Sequence, residues 1–146
     1  MRYPLIAVCA AVLLAGCTSV AVKPIDRERH QVQHVCIQEN PRVIVAGFLE
    51  SVERGLQRHG LTSERYSGDK PPEHCVYTLS YVARQNWDVA VYLWLADVEL
   101  RKGAEVIGTA NYHLRSQGGL ALNKWASVET KMAPVMDKLL VSFPKI

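Results

Sequence analysis

Residues 88–115 have the sequence DVAVYLWLADVELRKGAEVIGTANYHLR. Polar and apolar side chains alternate through residues 88–101 and again through residues 105–115, which predicts two β-strands. Lys102-Gly103 lies between them and is typical of a hairpin turn, so we expect antiparallel pairing. The apolar face of this hairpin carries Val98, Leu100, Ala110, Tyr112 and Leu114. The other face carries charged and polar residues, so one face is expected to meet a core and the other to meet water.

Three further strands and two helices are predicted on either side of this hairpin. The strands are short β-branched or alternating runs at residues 32–37, 61–66 and 75–84. Apolar residues recur at helical spacing over residues 45–56 and 128–143. The order β-α-β-β-β-β-α predicts an α+β domain with a four- or five-stranded, mostly antiparallel sheet and two helices on one face.

The sequence does not decide where the first helix starts or whether the second helix is continuous. The first helix begins either at Asn40, with Pro41 in its first turn, or nearer Ala46, because the β-branched run at residues 43–45 disfavours an early start. Pro134 lies inside the second helix, which is therefore either kinked or divided into two pieces.

The N-terminus has the features of a bacterial lipoprotein signal. Arg2 supplies a positive charge, and residues 5–14 are an uncharged apolar run, too short to span a bilayer core of about 30 Å. The run ends in Leu14-Ala15-Gly16-Cys17, which resembles a lipobox. The resemblance implies cleavage before Cys17 and attachment of a diacylglycerol and an N-acyl chain there, enough lipid for stable anchoring. An ordinary secretory signal and an uncleaved anchor are the alternatives.

The predicted domain boundaries follow from this signal. Residues 1–16 are the signal peptide, residues 17–31 are the lipidated Cys and a polar tether, and residues 32–146 form one α+β domain. Thr18 stands where an Asp commonly marks retention at the inner membrane, so the resemblance implies an outer-membrane protein facing the periplasm. The chain holds 17 basic and 14 acidic residues, too even a balance to indicate a nucleic-acid partner.

Cys36 and Cys75 are the two cysteines of the predicted domain. An oxidising periplasm makes a disulfide between them the default. If the first helix joins two parallel strands and the strand after Cys75 returns antiparallel, both thiols lie at one end of the sheet. We therefore predict a Cys36–Cys75 disulfide.

Metal binding is the alternative for the same region. His30, His34 and His74 lie near the two cysteines in sequence, and thiolates with imidazoles form zinc sites. His30 and His34 fall in the tether and at a strand edge rather than on a helix, which favours the disulfide with solvated histidines. We expect no bound metal and no cofactor. The common nucleotide-binding, nucleophile-elbow and zinc-protease motifs are absent, so we also expect no enzymatic activity.

The face of the predicted hairpin that is expected to meet water also carries a row of apolar residues. Such a row indicates that another segment or a partner packs over it. The row comprises Val89, Val91, Leu93 and Leu95. Three things could pack over this row: the tether, residues 117–125, or a partner protein. We take the row as the candidate partner-binding surface. The nearby aromatic residues either line a ligand groove or pack in the core, and for Tyr92 and Trp94 the strand parity favours the core.

Two blocks of the sequence resemble a family of small bacterial lipoproteins that has no established activity. The first block contains Asn40-Pro41, Phe48-Leu49 and Arg58-His59-Gly60. The second runs from Trp87-Asp88 to Asp137 and contains Tyr92-Leu93, Gly108-Thr109-Ala110, Tyr112-His113-Leu114, Gly118-Gly119-Leu120, Lys124-Trp125 and Lys131-Met132. The resemblance covers most of the mature domain and implies a lipoprotein, without implying a reaction or a ligand.

The function expected from the sequence is therefore that of a non-enzymatic domain, held on a membrane through Cys17, that binds an envelope protein in an assembly or maintenance role. The alternative is a periplasmic carrier of a small ligand, with a pocket between the sheet and the helices.

Overall fold

The computed structural model describes residues 18–115 and 123–146, in which the chain forms six strands and two helices. The strands are β1 (Thr18–Lys23), β2 (His34–Gln38), β3 (Thr62–Tyr66), β4 (Tyr77–Asp88), β5 (Ala90–Lys102) and β6 (Glu105–Leu114). The helices are α1 (Phe48–Arg58) and α2 (Val128–Leu139). The strands form one mostly antiparallel sheet in the order β1-β6-β5-β4-β2-β3, which confirms the α+β class.

The sheet has six strands where four or five were predicted, because β1 lies in the segment predicted to be a tether. Thr18–Lys23 pairs antiparallel with β6, from Thr18 opposite Leu114 to Lys23 opposite Thr109. The chain stays docked after β1, since Ile25 is buried and its N–H donates to the Leu139 carbonyl at 3.0 Å. The prediction of a tether over residues 17–31 is therefore wrong for this strand and for the residues that follow it.

The antiparallel direction expected for the strand after Cys75 is also wrong. β4 runs parallel to β2, with Cys36 opposite Thr78, and β3 lies parallel on the other side of β2. Residues 67–76 must therefore pass from one side of β2 to the other. Val35 and Ile37 belong to the core, so Cys36 points to the opposite face of the sheet. Its disulfide to Cys75 shows that the connection crosses β2 on that outer face.

Both helices pack against the inner face of the sheet and share one core. The apolar residues predicted for the inner face of the β5–β6 hairpin are all buried. The helices approach closely at Gly55 of α1, where an added Cβ would lie 2.7 Å from the Cβ of Met136 in α2. Helix α1 begins at Phe48, after Gly47 in the left-handed region, which agrees with the later of the two predicted starts. Helix α2 continues through Pro134 as one helix.

Ion pairs join the exposed sides of the two helices. Arg54 and Arg58 of α1 lie 2.8 Å and 3.0 Å from the Glu129 carboxylate of α2. His59, which is buried, places Nε2 3.0 Å from an Asp137 oxygen. Burial alone would raise the pKa of Glu129, but the hydrogen bond and charge of Arg54 hold that pKa below its usual value. The Arg58-His59 pair that carried part of the family resemblance thus serves to clamp α1 to α2.

Candidate contact surface

The predicted Cys36–Cys75 disulfide is present, with the two Cα atoms 5.9 Å apart. It forms for a different reason from the one expected, because β4 is parallel to β2 rather than antiparallel. The long connection over residues 67–76 returns across β2 and brings Cys75 onto Cys36, which is fully buried. The bridge therefore fixes a loop to the outer face of the sheet.

The apolar row predicted along β5 is not a single surface. Leu95 pairs with Arg84 and Leu93 pairs with Gln85, so Trp94 is an extra residue in β5 and forms a β-bulge. The bulge shifts the alternation, and Leu93 is only 2% exposed. Leu95 is half-buried, whereas Val89 and Val91 are 81% and 56% exposed. The assignment of Leu93 to an exposed contact surface is therefore wrong, whereas Leu95 stays on the outer face and is partly exposed.

The two exposed valines lie at the turn between β4 and β5, together with two tryptophans. Trp87 is 70% exposed, and Trp125, which follows the undescribed residues 116–122, is 46% exposed. The Trp125 indole N–H donates to the Asp88 carbonyl at 2.7 Å and so holds its ring beside the turn. We call this group the hairpin tip, and it consists of Trp87, Val89, Val91 and Trp125. Sequence reasoning included both valines but treated the tryptophans only as possible groove or core residues.

Val89 occupies a strained position in the hairpin tip. Its φ of 64° lies in the left-handed region, which Gly or Asn adopts readily and a β-branched residue does not. The cost of such a conformation is about 1–2 kcal/mol. Strained residues of this kind cluster at functional sites, so the tip is the best candidate for a functional surface.

Two lysines support the base of the hairpin tip. Lys124 is 4% exposed, forms an ion pair with Asp88 and lies 4.7 Å from the centre of the Tyr92 ring. Lys131 is also buried, and its ammonium donates to the carbonyls of Leu93 and Lys124. Burial lowers the pKa of Lys131 to about 8. These contacts fix the tip rigidly to α2 and to the core.

The aromatic predictions have mixed outcomes. Tyr92 is buried, which confirms its place in the core, although the bulge at Trp94 breaks the parity on which that prediction was based. Trp94 is half-buried, and its ring centre lies 5.7 Å from that of His113, an exposed residue of β6.

The tether does not cover the β5 row, because β1 lies beyond β6 at the sheet edge. Lys124 and Trp125 lie beside this region, but the residues that they contact, Tyr92 and Asp88, are not members of the row.

The hairpin tip lies at the end of the sheet from which the chain continues back to Cys17. Cys17 itself is outside the described residues. Thr18 pairs with Leu114, and Leu95 of β5 pairs with the preceding residue, His113. The β4–β5 hairpin extends beyond that level by six residues, Trp94 to Val89, of which Trp94 is the extra residue of the bulge. The other five span roughly 15 Å at the usual strand rise. The tip therefore projects past the start of β1 at Thr18.

The cavities of the described residues are surface depressions. One has a volume of about 750 Å³ and is lined mainly by polar side chains of residues 26–33. A smaller one of about 220 Å³ lies between β1 and α2 and includes Val20 and Val135. None of the helices in residues 18–115 and 123–146 is long and apolar enough to cross a membrane.

This architecture, a six-stranded α+β sheet with both helices on one face, is found among solved structures. PelC from Paraburkholderia phytofirmans, solved as a dodecamer, superposes with a TM-score of 0.51 at 15% sequence identity, over 82% of this chain and 97% of its own. A variant of the same PelC gives a TM-score of 0.49 at 14% identity. At these identities the likeness shows a shared fold. No family model and no curated protein matches the chain.

Proposed function

We propose that this protein is a lipoprotein, anchored to the outer membrane through Cys17 and facing the periplasm, that acts without catalysis by binding a protein partner. The observation that carries the proposal is the placement of the hairpin tip at the end of the sheet where β1 begins with Thr18. A lipid on Cys17 would bring Trp87 and Val89 to the membrane surface, where the partner would be met. The resemblance to small bacterial lipoproteins supports the same placement.

The composition of the tip supports a contact role. Exposed apolar groups that cluster on a rigid base, with polar groups around them, are typical of interaction surfaces. Tryptophan is enriched among the residues that dominate binding energy. PelC, which shares the fold, is a dodecamer. A second copy of this chain is therefore one form that the protein partner can take, beside a different envelope protein.

The carrier alternative has weaker support. The space between the sheet and the helices is filled by a continuous core of buried apolar residues. The depression between β1 and α2, at about 220 Å³, is smaller than the roughly 300–1,000 Å³ typical of small-molecule sites. The depression of about 750 Å³ is large enough, but it is lined by residues 26–33 and Ser142 and does not lie between the sheet and the helices.

Replacing Cys17 by Ser is expected to move the protein out of the membrane fraction, or to leave a precursor that retains residues 1–16. The reason is that the thiol accepts the lipid and the signal is cleaved only after lipidation. The measurement is fractionation of cells with detection of the chain and its mass. Ser19→Ala is the matched control and should fractionate as the parent does. Unchanged membrane association and mass in Cys17→Ser would contradict lipid anchoring.

Variants of the hairpin tip should lose partner contact while keeping the fold. A photocrosslinker in place of Val91 is expected to capture the partner in cells, and Trp87→Ser should weaken that capture by about 30-fold, corresponding to the roughly 2 kcal/mol of a central interface tryptophan. Val89→Gly should also weaken it, although Gly suits the observed φ of 64° and should leave the melting temperature equal or higher.

Ile44→Ser is the control, because Ile44 is a similarly exposed apolar residue at 74% that lies outside the tip. Capture should be unchanged in this variant. If Trp87→Ser and Val89→Gly unfold the domain, or if capture persists in both, the tip is not the contact surface. If the crosslinker reacts with lipid alone, the tip touches the membrane and the protein partner is excluded at this site.

A further inference from the structure

A cluster of two imidazoles and one carboxylate lies on the outer face of the sheet, near the end opposite the hairpin tip. His34 begins β2, Glu64 lies in β3, and His74 belongs to the connection that crosses β2. His34 Nε2 lies 3.7 Å from one Glu64 oxygen, and His74 Nε2 contacts the other. One potential ligand atom from each of the three side chains lies within 4.8 Å of the others.

The parallel register explains why the first two residues share a face. His34 pairs with Thr62, and Cys36 pairs with Glu64. Side chains at paired positions of neighbouring strands project to the same side, as do side chains two residues apart in one strand. His34 and Glu64 therefore belong to the outer face that also carries Cys36.

The hydrogen bonds around His34 determine which of its two ring nitrogens is available to a metal ion. Nδ1 lies 2.7 Å from the Thr62 hydroxyl, and that hydroxyl donates its own proton to the Gln33 carbonyl at 3.3 Å. With that hydroxyl proton directed at Gln33, the Thr62 oxygen accepts from an Nδ1–H, and in the neutral imidazole this leaves the lone pair of His34 Nε2 facing Glu64. This is how metal-ligating histidines are usually held, with the second ring nitrogen donating to a neighbouring oxygen.

Either a proton or a metal ion between His34 Nε2 and the Glu64 oxygen satisfies both groups. Two ligands at about 2.1 Å from one zinc ion in tetrahedral geometry are roughly 3.4 Å apart, close to the observed separation of these two atoms. His74 Nε2 and its Glu64 oxygen are in direct hydrogen-bond contact, so that pair must separate to admit the ion. The disulfide removes the Cys36 thiolate from the ligand set, but it fixes Cys75 and hence its neighbour His74 over β3. All three ligand side chains remain accessible to solvent.

We propose that His34, Glu64 and His74 bind one divalent transition-metal ion of the zinc or copper class, with its remaining positions open to water. Imidazole nitrogen suits these ions, whereas calcium and magnesium prefer all-oxygen sites. The site is far from the hairpin tip and does not depend on lipid anchoring, so it can be tested separately from the proposed function. It revises the expectation from sequence that no metal is bound.

The test is calorimetric titration of the full chain, purified in detergent and freed of metal by a chelator, with zinc chloride. One ion per chain is expected. His34→Gln, His74→Gln and Glu64→Gln should each weaken binding by at least about 10-fold, and Thr62→Val should weaken it by about 10- to 100-fold through the orientation of the His34 ring. His113→Gln, also an exposed histidine, is the matched control and should bind as the parent does.

Titration with copper(II) gives a second readout that a merely structural role would not move. Electron paramagnetic resonance should show hyperfine coupling to two imidazole nitrogens in the parent and to one in His74→Gln. Circular dichroism of each variant should match the parent, since the three ligands lie outside the core. The proposal is overturned if no stoichiometric binding occurs, if His34→Gln and His74→Gln bind zinc as the parent does, or if His113→Gln weakens binding equally.

Discussion

Replacing Cys36 by Ser should lower the free energy of unfolding by about 4 kcal/mol, the value that the chain-entropy model gives for a bridge closing 39 residues. This is a large share of the roughly 5–15 kcal/mol that stabilises a typical domain. The effect should be large here because the bridge is the tie between β2 and the long connection that crosses it. Without the bridge, that connection is held by hydrogen bonds such as Gln38 to the Gly68 carbonyl near its start and by the exposed contact of His74 with Glu64 near its end.

Urea denaturation in oxidising buffer measures this effect. Reductant should lower the stability of the parent to that of Cys36→Ser and should leave the variant unchanged. Cys75→Ser, whose side chain is less buried, should lose about the same amount, and the double variant should lose no more than either single variant. A parent that is equally stable with and without reductant would show that the bridge does not stabilise the domain in solution.

Replacing Gly55 by Ala is expected to destabilise the domain by about 1–3 kcal/mol, the usual cost of overpacking a core. Ala is the better helix former by about 1 kcal/mol, so helix propensity alone predicts the opposite sign. The steric term should exceed it because the new methyl group would lie 2.7 Å from Met136 Cβ, an atom fixed by the backbone of α2. Only separation of the two helices can relieve that contact.

Two further variants isolate this contact. Gln57→Ala, at an exposed position of the same helix, should change stability by less than about 0.5 kcal/mol. Met136→Ala alone should cost about 2–5 kcal/mol. The double variant Gly55→Ala, Met136→Ala should be more stable than the sum of the single effects predicts, because the second change makes room for the first. Additive effects in thermal or urea unfolding would exclude the helix contact as the cause.

The part of the β5–β6 hairpin that follows the bulge could be predicted closely from sequence because one of its faces is mainly apolar and the other mainly polar. Val98, Leu100 and Tyr112 alternate with polar residues over many positions, and all three are buried. Strand β1 gave no such signal, since only Val20 and Val22 pack against the core and charged residues follow at once. A short edge strand of this kind is specified by its partner strand rather than by its own pattern.

The candidate site was harder to predict than the fold because it depends on two irregularities. The bulge at Trp94 reverses the alternation of β5, so that Leu93 faces inward although simple parity placed it outside. The amino-acid composition around Trp94 does not indicate such an insertion. The crossing connection is the second irregularity, because its direction is set by the pairing of β2 with β4, a contact between segments about 40 residues apart. The nearness of His34 and His74 follows from that pairing.

The position of β1 determines how the sheet would bear mechanical load. Under the proposed anchoring, any drag that pulls the domain away from the bilayer would pass through Thr18 and along the axis of β1. The hydrogen bonds from Thr18–Lys23 to β6 lie across that axis. Such a force would shear the whole ladder at once instead of peeling it open bond by bond, so the anchored edge would be the mechanically resistant edge of the protein.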